Sequence, residues 1–201
     1  MEGRLLCFLC VLVLGRAAVI NHCNLIQTLQ EKLLYDNRVL FMREYFPKDY
    51  KLYVKYEEVL RCQNITTLQI DKKITVEELR YLWGIVNEAA LQTIEGVLPQ
   101  KHPTRPYIME LQAIFKNLLG NTKEEEASDP IRDILYRLNQ SEDTAKVKAV
   151  PPKALLDNCY KVLYALYEDE CALCEPRSDE DGALCSNETF PALSRTPCKS
   201  S

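Results

Sequence analysis

Apolar residues recur at helical spacing over much of this chain. Helix A is predicted from Asn24 to about Phe46, with Pro47 as its stop, and its inward stripe is Leu25, Leu29, Leu33, Leu40 and Phe41. Helix B has the clearest start, because Thr75-Val76-Glu77-Glu78 is a capping box. Its predicted stripe is Leu79, Leu82, Val86, Ala90, Thr93 and Val97. Trp83 lies beside this stripe and is expected in the core or at a subunit contact.

Three further helices follow the same spacing. Helix C is predicted after a Thr104 cap and ends at Gly120, and a shorter helix starts at Ser128-Asp129-Pro130. Helix D is predicted from Pro152 to about Tyr167, with an inward stripe of Leu155, Cys159, Val162 and Leu166. Two short segments alternate instead, at residues 50–56 and 145–150, and predict an antiparallel β ribbon on the flank of the bundle.

The lengths of the connections predict the architecture. Helices A and B are about 27 residues apart, B and C about six, and C and D about thirty, whereas bundle links are usually about 2 to 8 residues. A long, a short and a long connection require an up-up-down-down bundle with two long crossovers. The expected fold is therefore all-α, a short-chain four-helix-bundle cytokine with a small β ribbon and one extra short helix.

The first residues indicate secretion. Residues 1–17 carry Arg4, then an apolar run, then Gly15-Arg16-Ala17, as in a cleaved signal peptide. The run has about half of the roughly 20 residues that a membrane anchor needs. We expect a signal peptide at 1–17, the bundle domain at 18–175, a flexible tail at 176–201, and no integral membrane segment in the secreted product.

The net charge and the sequence motifs exclude several classes of function. The formal charge is −4 and becomes one unit more negative when the signal peptide is removed, so nucleic acid is not an expected partner. Nucleophile elbows, phosphate-binding glycine loops and zinc-protease motifs do not occur in the sequence. We expect no enzyme, no catalytic residue, no metal and no cofactor.

Cysteines and sequons also suit an extracellular protein. Of nine cysteines, Cys7 and Cys10 leave with the signal peptide, so an odd number stays and one thiol lacks an intramolecular partner. Cys171-Ala172-Leu173-Cys174 has redox or half-zinc spacing, but structural disulfides are favoured. Asn64, Asn139 and Asn187 head the sequons and are the expected glycosylation sites.

Several ordered blocks carry a family resemblance. They are Tyr45-Phe46-Pro47-x-x-Tyr50-Lys51, Val54-x-Tyr56-Glu57, the Asn64 sequon, Glu78-Leu79-Arg80-Tyr81-Leu82-Trp83, His102-Pro103, and Pro152-Lys153-Ala154-Leu155-Leu156-Asp157-Asn158-Cys159. With this order and spacing, the chain resembles the interleukin-34 family over about Cys23 to Cys171. The long proline-rich tail of the mammalian forms is absent.

The resemblance implies a secreted homodimer, and we expect it to be non-covalent because no cysteine is clearly left unpaired on the body of the bundle and Cys198 lies in the expected flexible tail. Such a dimer binds two copies of the macrophage colony-stimulating-factor receptor ectodomain, brings their tyrosine kinases together, and promotes the survival, proliferation and differentiation of monocytes and macrophages. Carried over by position, the receptor-binding surface comprises Lys32, Gln92, Glu95, Leu98, Ile114 and Asn117. Leu98 is the sharpest expectation, as an exposed apolar anchor at the end of helix B.

The cysteines depart from the family pattern. Glu168-Asp169-Glu170 stands where relatives have a further cysteine, and Cys62 replaces an aliphatic residue. We therefore expect the disulfides Cys23–Cys171, Cys62–Cys159 and Cys174–Cys185, with Cys198 left over.

Two other classes of protein stay open from the sequence. A different secreted helical cytokine or hormone would share the fold but use another receptor. A helical lipid carrier would share the fold and hold an apolar ligand.

Overall fold

The structure, a computed structural model, describes residues 22–55, 61–120, 127–139 and 147–173. Helix α1 covers residues 22–32, and the next elements are α2 (Tyr35–Val39), a π-helical turn (Leu40–Glu44), β1 (Leu52–Lys55) and α3 (Cys62–Lys72). Then come α4 (Val76–Val97), α5 (Arg105–Leu119), α6 (Asp129–Asn139), β2 (Val147–Val150) and α7 (Pro152–Cys171). The predicted fold class is confirmed: over the described residues the protein is mostly helical, with a small antiparallel sheet.

Side-chain contacts between helix ends give the directions of the four main helices. The start of α1 meets the end of α7 through a Cys23–Cys171 disulfide, and near the start of α4 the Arg80 guanidinium donates to the Leu166 carbonyl. Helices α1 and α4 are therefore both antiparallel to α7. The short turn after α4 makes α5 antiparallel to it, so the order is up, up, down, down.

The β ribbon is also confirmed. Strands β1 and β2 pair antiparallel, with Leu52 opposite Val150 and Lys55 opposite Val147. Leu52, Val54 and Val150 are buried, whereas Tyr53 and Val147 point outward, as period-2 alternation requires. The ribbon therefore joins the two long crossovers on the side of the bundle.

Helix A was expected to be continuous, and this is wrong. The Leu34 backbone is extended, with ψ at 154°, and ends α1 before α2 starts. After the break the inward register differs: Arg38 in α2 and Met42 in the π-helical turn are buried, whereas Leu40 is exposed. The sequence pattern carried no explicit signal for this change of register.

The A–B crossover holds a helix that the sequence reading missed. Helix α3 has only a weakly amphipathic pattern, burying Cys62 and Ile65 while Ile70 stays exposed. Lys73 in the left-handed region ends it, with φ at 53°, and its N–H donates to the Leu68 carbonyl. Asn64 lies in the first turn of this helix and is half-exposed.

The core stripes of the later helices agree with the pattern, with one exception. Trp83 is buried and meets the Phe115 ring edge to face, at a centroid distance of 5.0 Å. On α4, however, Thr93 and Val97 are exposed while Ile94 and Leu98 are buried. The inward face of α4 therefore turns by one residue in its last two turns.

The cysteines partly match expectation. The Cys23–Cys171 disulfide is present, with Cα atoms 5.1 Å apart. The Cys62–Cys159 pairing is wrong, because Cys159 is a free, buried thiol while Cys62 is disulfide-bonded. Cys62 Sγ lies 3.8 Å from the Lys161 carbonyl oxygen of α7.

Cys159 faces the bundle interior instead. Its thiol interacts electrostatically with Arg38 and Tyr107, and burial raises its pKa. It is therefore a neutral core side chain rather than a bridge. Cys174, Cys185, Cys198 and Asn187 lie outside the described residues, as do the expected signal peptide 1–17 and tail 176–201.

Candidate receptor-binding surface

Helix α5 lies between α1 and α4 and connects to both through charged side chains. The Lys32 ammonium of α1 contacts the Glu110 carboxylate of α5 at 2.5 Å, and both side chains are about half-exposed. The Glu95 carboxylate of α4 contacts the Arg105 guanidinium of α5 at 2.6 Å. We call the outer face of α1, α4 and α5 around these two ion pairs the α5 surface.

Four of the six expected receptor residues reach this surface. Gln92 and Asn117 are exposed, on α4 and α5. Lys32 and Glu95 are partly exposed and already paired within the protein. The structure therefore brings these four residues onto adjoining helices.

Leu98 and Ile114 do not lie on the surface. Leu98 is only 7% exposed and Ile114 only 9%, and both belong to the main hydrophobic core. The expectation that Leu98 is an exposed anchor is therefore wrong. Leu98 continues the buried spacing of Leu91 and Ile94, so the core extends one residue past the end of α4.

Glu95 closes the turn between α4 and α5. One of its carboxylate oxygens contacts Arg105, and the other accepts from Gln112 Nε2 at 3.0 Å. The Arg105 guanidinium also donates to the Leu98 carbonyl at 3.0 Å, one of the carbonyls that a helix end leaves unpaired. Both Glu95 oxygens are therefore used to fix the end of the α5 surface.

The helix break after α1 lies directly beside Lys32. The Lys32 carbonyl, freed by the break, accepts from Asn37 Nδ2 at 3.2 Å and from the Tyr107 hydroxyl at 2.9 Å. Burial raises the pKa of Tyr107, so its hydroxyl stays protonated and remains a donor. Tyr107 of α5 therefore holds the backbone that carries Lys32.

Arg38 anchors the other side of the break. Its Nε donates to the Leu33 carbonyl at 2.7 Å, and its guanidinium forms an ion pair with Asp157 of α7. The same guanidinium lies over the Tyr160 ring, 4.8 Å from the centroid. Pattern reasoning missed this buried arginine, because a charged residue between apolar positions reads as solvent-exposed.

His102 attaches the α4–α5 turn to the π-helical segment. Its Nε2 is 3.0 Å from the Tyr45 carbonyl oxygen, and its Nδ1 accepts from the Thr104 N–H at 3.2 Å. The Thr104 hydroxyl donates to the Phe41 carbonyl at 2.8 Å. Both ring nitrogens of His102 therefore have partners within the protein.

Exposed apolar side chains also occur on or near the α5 surface. Val97 at the end of α4 is 46% exposed, and Met109 on α5 is 53% exposed. Neither residue was predicted from the sequence to belong to the receptor-binding surface. Val97 was assigned to the core by its spacing, and Met109 lies between two inward positions of α5.

In the described part of the chain, one group of potential metal ligands lies close together: Cys23, Glu170 and Cys171. The disulfide uses both of its sulfurs. Among the described helices, none has the length and apolarity needed to span a bilayer.

A model of a known protein family matches this whole region. The family model described as Interleukin 34 matches residues 16–175, which includes every element of the bundle. The resemblance read from the sequence blocks is thereby confirmed. The match covers most of the sequence and agrees with the helical fold, so the chain belongs to the interleukin-34 family of cytokines.

Proposed function

We propose that this protein is a secreted, homodimeric ligand of the macrophage colony-stimulating-factor receptor. Binding places two receptor ectodomains on one platform and brings their kinase domains together. The outcome is survival, proliferation and differentiation of monocytes and macrophages. The observation that carries this proposal is the family match across the entire helical bundle.

The ligand acts by geometry rather than by catalysis. Each copy in a dimer presents the same surface, so a two-fold axis relates the two receptor sites. Once one receptor is bound, the second encounters a platform already held at the membrane, and its effective concentration rises. A single chain lacks the second site and is expected to bind a receptor without activating it.

The α5 surface is the proposed receptor contact. Gln92 and Asn117 are free to meet a partner, and Lys32 is the cation at its α1 edge. Glu95 contributes chiefly by fixing the α4–α5 turn, since both of its carboxylate oxygens have internal partners. Leu98 and Ile114 support this surface from the core.

Secretion and glycosylation belong to the same proposal. Residues 1–17 are proposed to be removed as a signal peptide, and Asn64, Asn139 and Asn187 to be glycosylated. Asn139 is exposed at the last residue of α6, and Asn64 is half-exposed on α3, so neither position requires a glycan inside the core.

The test is receptor phosphorylation in cells. Mature protein secreted from mammalian cells is applied to matched cells with and without the macrophage receptor, and receptor phosphotyrosine is measured. We expect phosphorylation only in receptor-bearing cells and inhibition by excess soluble receptor ectodomain. Correctly folded dimer that gives no signal would contradict the proposal.

A matched pair of variants tests the surface. Asn117→Arg lies on the α5 surface, whereas Tyr136→Arg lies at an exposed position of α6. We expect Asn117→Arg to weaken receptor binding about tenfold or more, by placing an unpaired charge in the contact, and Tyr136→Arg to have little effect. The reverse order would place the receptor on another face.

A further inference from the structure

The two methionines outside the expected signal peptide have opposite environments. The sequence holds three methionines, Met1, Met42 and Met109. Met42 lies in the π-helical turn and is 1% exposed, whereas Met109 is 53% exposed on α5. Oxidation of a thioether requires contact with a dissolved oxidant, so access differs sharply between these two sulfurs.

Met109 also lies in the middle of the α5 surface. It directly precedes Glu110, the partner of Lys32, and follows Arg105 by four residues on the same helix. Residues 109, 113, 116 and 117 are all exposed and follow helical spacing, so Met109 shares a stripe with Asn117. Methionine has a flexible apolar side chain, and a binding partner that covers the α5 surface would bury it and remove its water.

We propose that Met109 is a redox modification site, oxidised to the sulfoxide by peroxide while Met42 is protected, and that this modification weakens receptor binding. The first part stands on exposure alone. The second part rests on the proposed function, because it requires the α5 surface to be the receptor contact.

The oxidation step balances with hydrogen peroxide as the oxidant. A sulfur lone pair attacks one peroxide oxygen, a sulfur–oxygen bond forms and the oxygen–oxygen bond breaks. The leaving hydroxide takes the proton of the oxygen that is now bound to sulfur and becomes water. Sulfur loses two electrons and peroxide gains two, and the product is methionine sulfoxide.

The sulfoxide changes the surface without changing its charge. An apolar thioether becomes a polar group with a strong hydrogen-bond acceptor, which loses its water when a partner covers it. In the free protein the group faces solvent, so the fold is not expected to change. The effect is therefore confined to binding.

The first measurement is site-resolved oxidation of the full mature chain by hydrogen peroxide. Peptide mapping by mass spectrometry follows the gain of one oxygen at Met109 and at Met42. We expect Met109 to oxidise at least about ten times faster, in line with its exposure. Equal rates, or faster oxidation of Met42, would overturn the proposal without any receptor being involved.

The second measurement is affinity for the receptor ectodomain before and after treatment. We expect the oxidised protein to bind about tenfold more weakly at an unchanged melting temperature, with recovery after methionine sulfoxide reductase. Met109→Leu keeps an apolar side chain and removes the oxidisable sulfur, so its own affinity for the ectodomain is expected to be the same before and after peroxide treatment. A Met109→Leu protein that loses binding equally on oxidation would assign the effect to another residue.

The failures of the two proposals are distinguishable. If untreated protein does not bind the receptor, the proposed function fails while selective oxidation of Met109 still stands. If untreated protein binds and fully oxidised Met109 leaves affinity unchanged, the effect on binding is overturned while the receptor assignment stands.

Discussion

Leu98 and Val97 show how a shift of one residue decides a site assignment. Both are apolar and lie just before Pro99, and helical spacing from Leu79 assigned Val97 to the core. The structure reverses them: Leu98 is 7% exposed and Val97 46%. When inward positions are counted from Leu79 with a fixed spacing, a small error in the assumed number of residues per turn adds up over six turns. The predicted inward direction is therefore least accurate at the end of the helix.

Truncation of these two neighbours tests the reversal. Leu98→Ala removes buried methyl groups and is expected to lower the free energy of unfolding by about 2 to 5 kcal/mol. Val97→Ala should change it by less than about 0.5 kcal/mol, because its side chain is largely in water. Chemical denaturation of both variants gives the comparison, and similar losses would contradict the assigned burial.

Glu78 gives a prediction about acid stability. Hydrogen bonds from Ser128 and from the Thr75 N–H lower the pKa of the Glu78 carboxyl below its ordinary value of 4.5. A lowered pKa stabilises the fold above the ordinary value, and this contribution is lost as pH falls through the lowered pKa. The capping box is therefore weakened in acid.

The measurement is the melting temperature of wild type and Glu78→Gln between about pH 3 and pH 7. We expect wild type to be the more stable at neutral pH and the difference to shrink below about pH 4.5. Glu77→Gln is the control in the same helical turn, outside the capping box. A difference that stays constant with pH for Glu78→Gln would contradict the role of its charge.

At the scale of elements, the sequence predicted most helices and strands, and failed where backbone geometry depends on tertiary contacts. The capping box of α4 and the prolines at the start of α7 are local signals, and the structure agrees with both. Helix α5 also starts after Thr104 as predicted, but the Thr104 side chain makes no cap bond and its hydroxyl donates to the Phe41 carbonyl instead. The break at Leu34 depends on Asn37, Arg38 and Tyr107 bonding the freed carbonyls. Tyr107 is distant in sequence, so local pattern could not reveal this contact.

The two glycines of α4 form a matched pair. A methyl group added at Gly96 would meet no atom within 4 Å, whereas at Gly84 it would lie 2.8 Å from Leu119 Cδ2 of α5. Gly96→Ala is expected to raise the free energy of unfolding by about 1 kcal/mol through helix propensity. Gly84→Ala is expected to raise the free energy of unfolding by clearly less, because the Leu119 side chain must move to make room for the added methyl group.

Thermal or denaturant unfolding of the two variants measures this difference. Equal stabilisation would mean that α4 and α5 are not as close at Gly84 as the structure has them. A larger gain at Gly84 would mean that the packing there holds a space which the added methyl fills.

At the scale of the whole molecule, the connection lengths were the most reliable signal. Long, short and long links allow few bundle topologies, so the sequence predicted the topology although it missed α3 and the helix break. Surface residues could not be predicted as well. Their exposure depends on the exact rotation of each helix, which explains why Leu98 and Ile114 were misplaced.

The Cys23–Cys171 disulfide closes nearly the whole domain. The two residues are separated by 148 positions, so in the chain-entropy model the bridge stabilises the fold by up to about 5 kcal/mol. Replacing both cysteines by serine is expected to lower the melting temperature substantially while the order of the helices stays the same. Unchanged unfolding of the double variant under non-reducing conditions would contradict a structural role for this bridge.

The most direct test of the central claim is the stoichiometry of the complex with the macrophage receptor ectodomain. Light scattering coupled to size-exclusion chromatography measures the mass of the purified mature protein alone and with excess ectodomain. We expect a dimer of chains alone and two ectodomains per dimer in the complex. A monomer that carries one ectodomain, or no complex at all, would contradict the proposed dimeric receptor ligand.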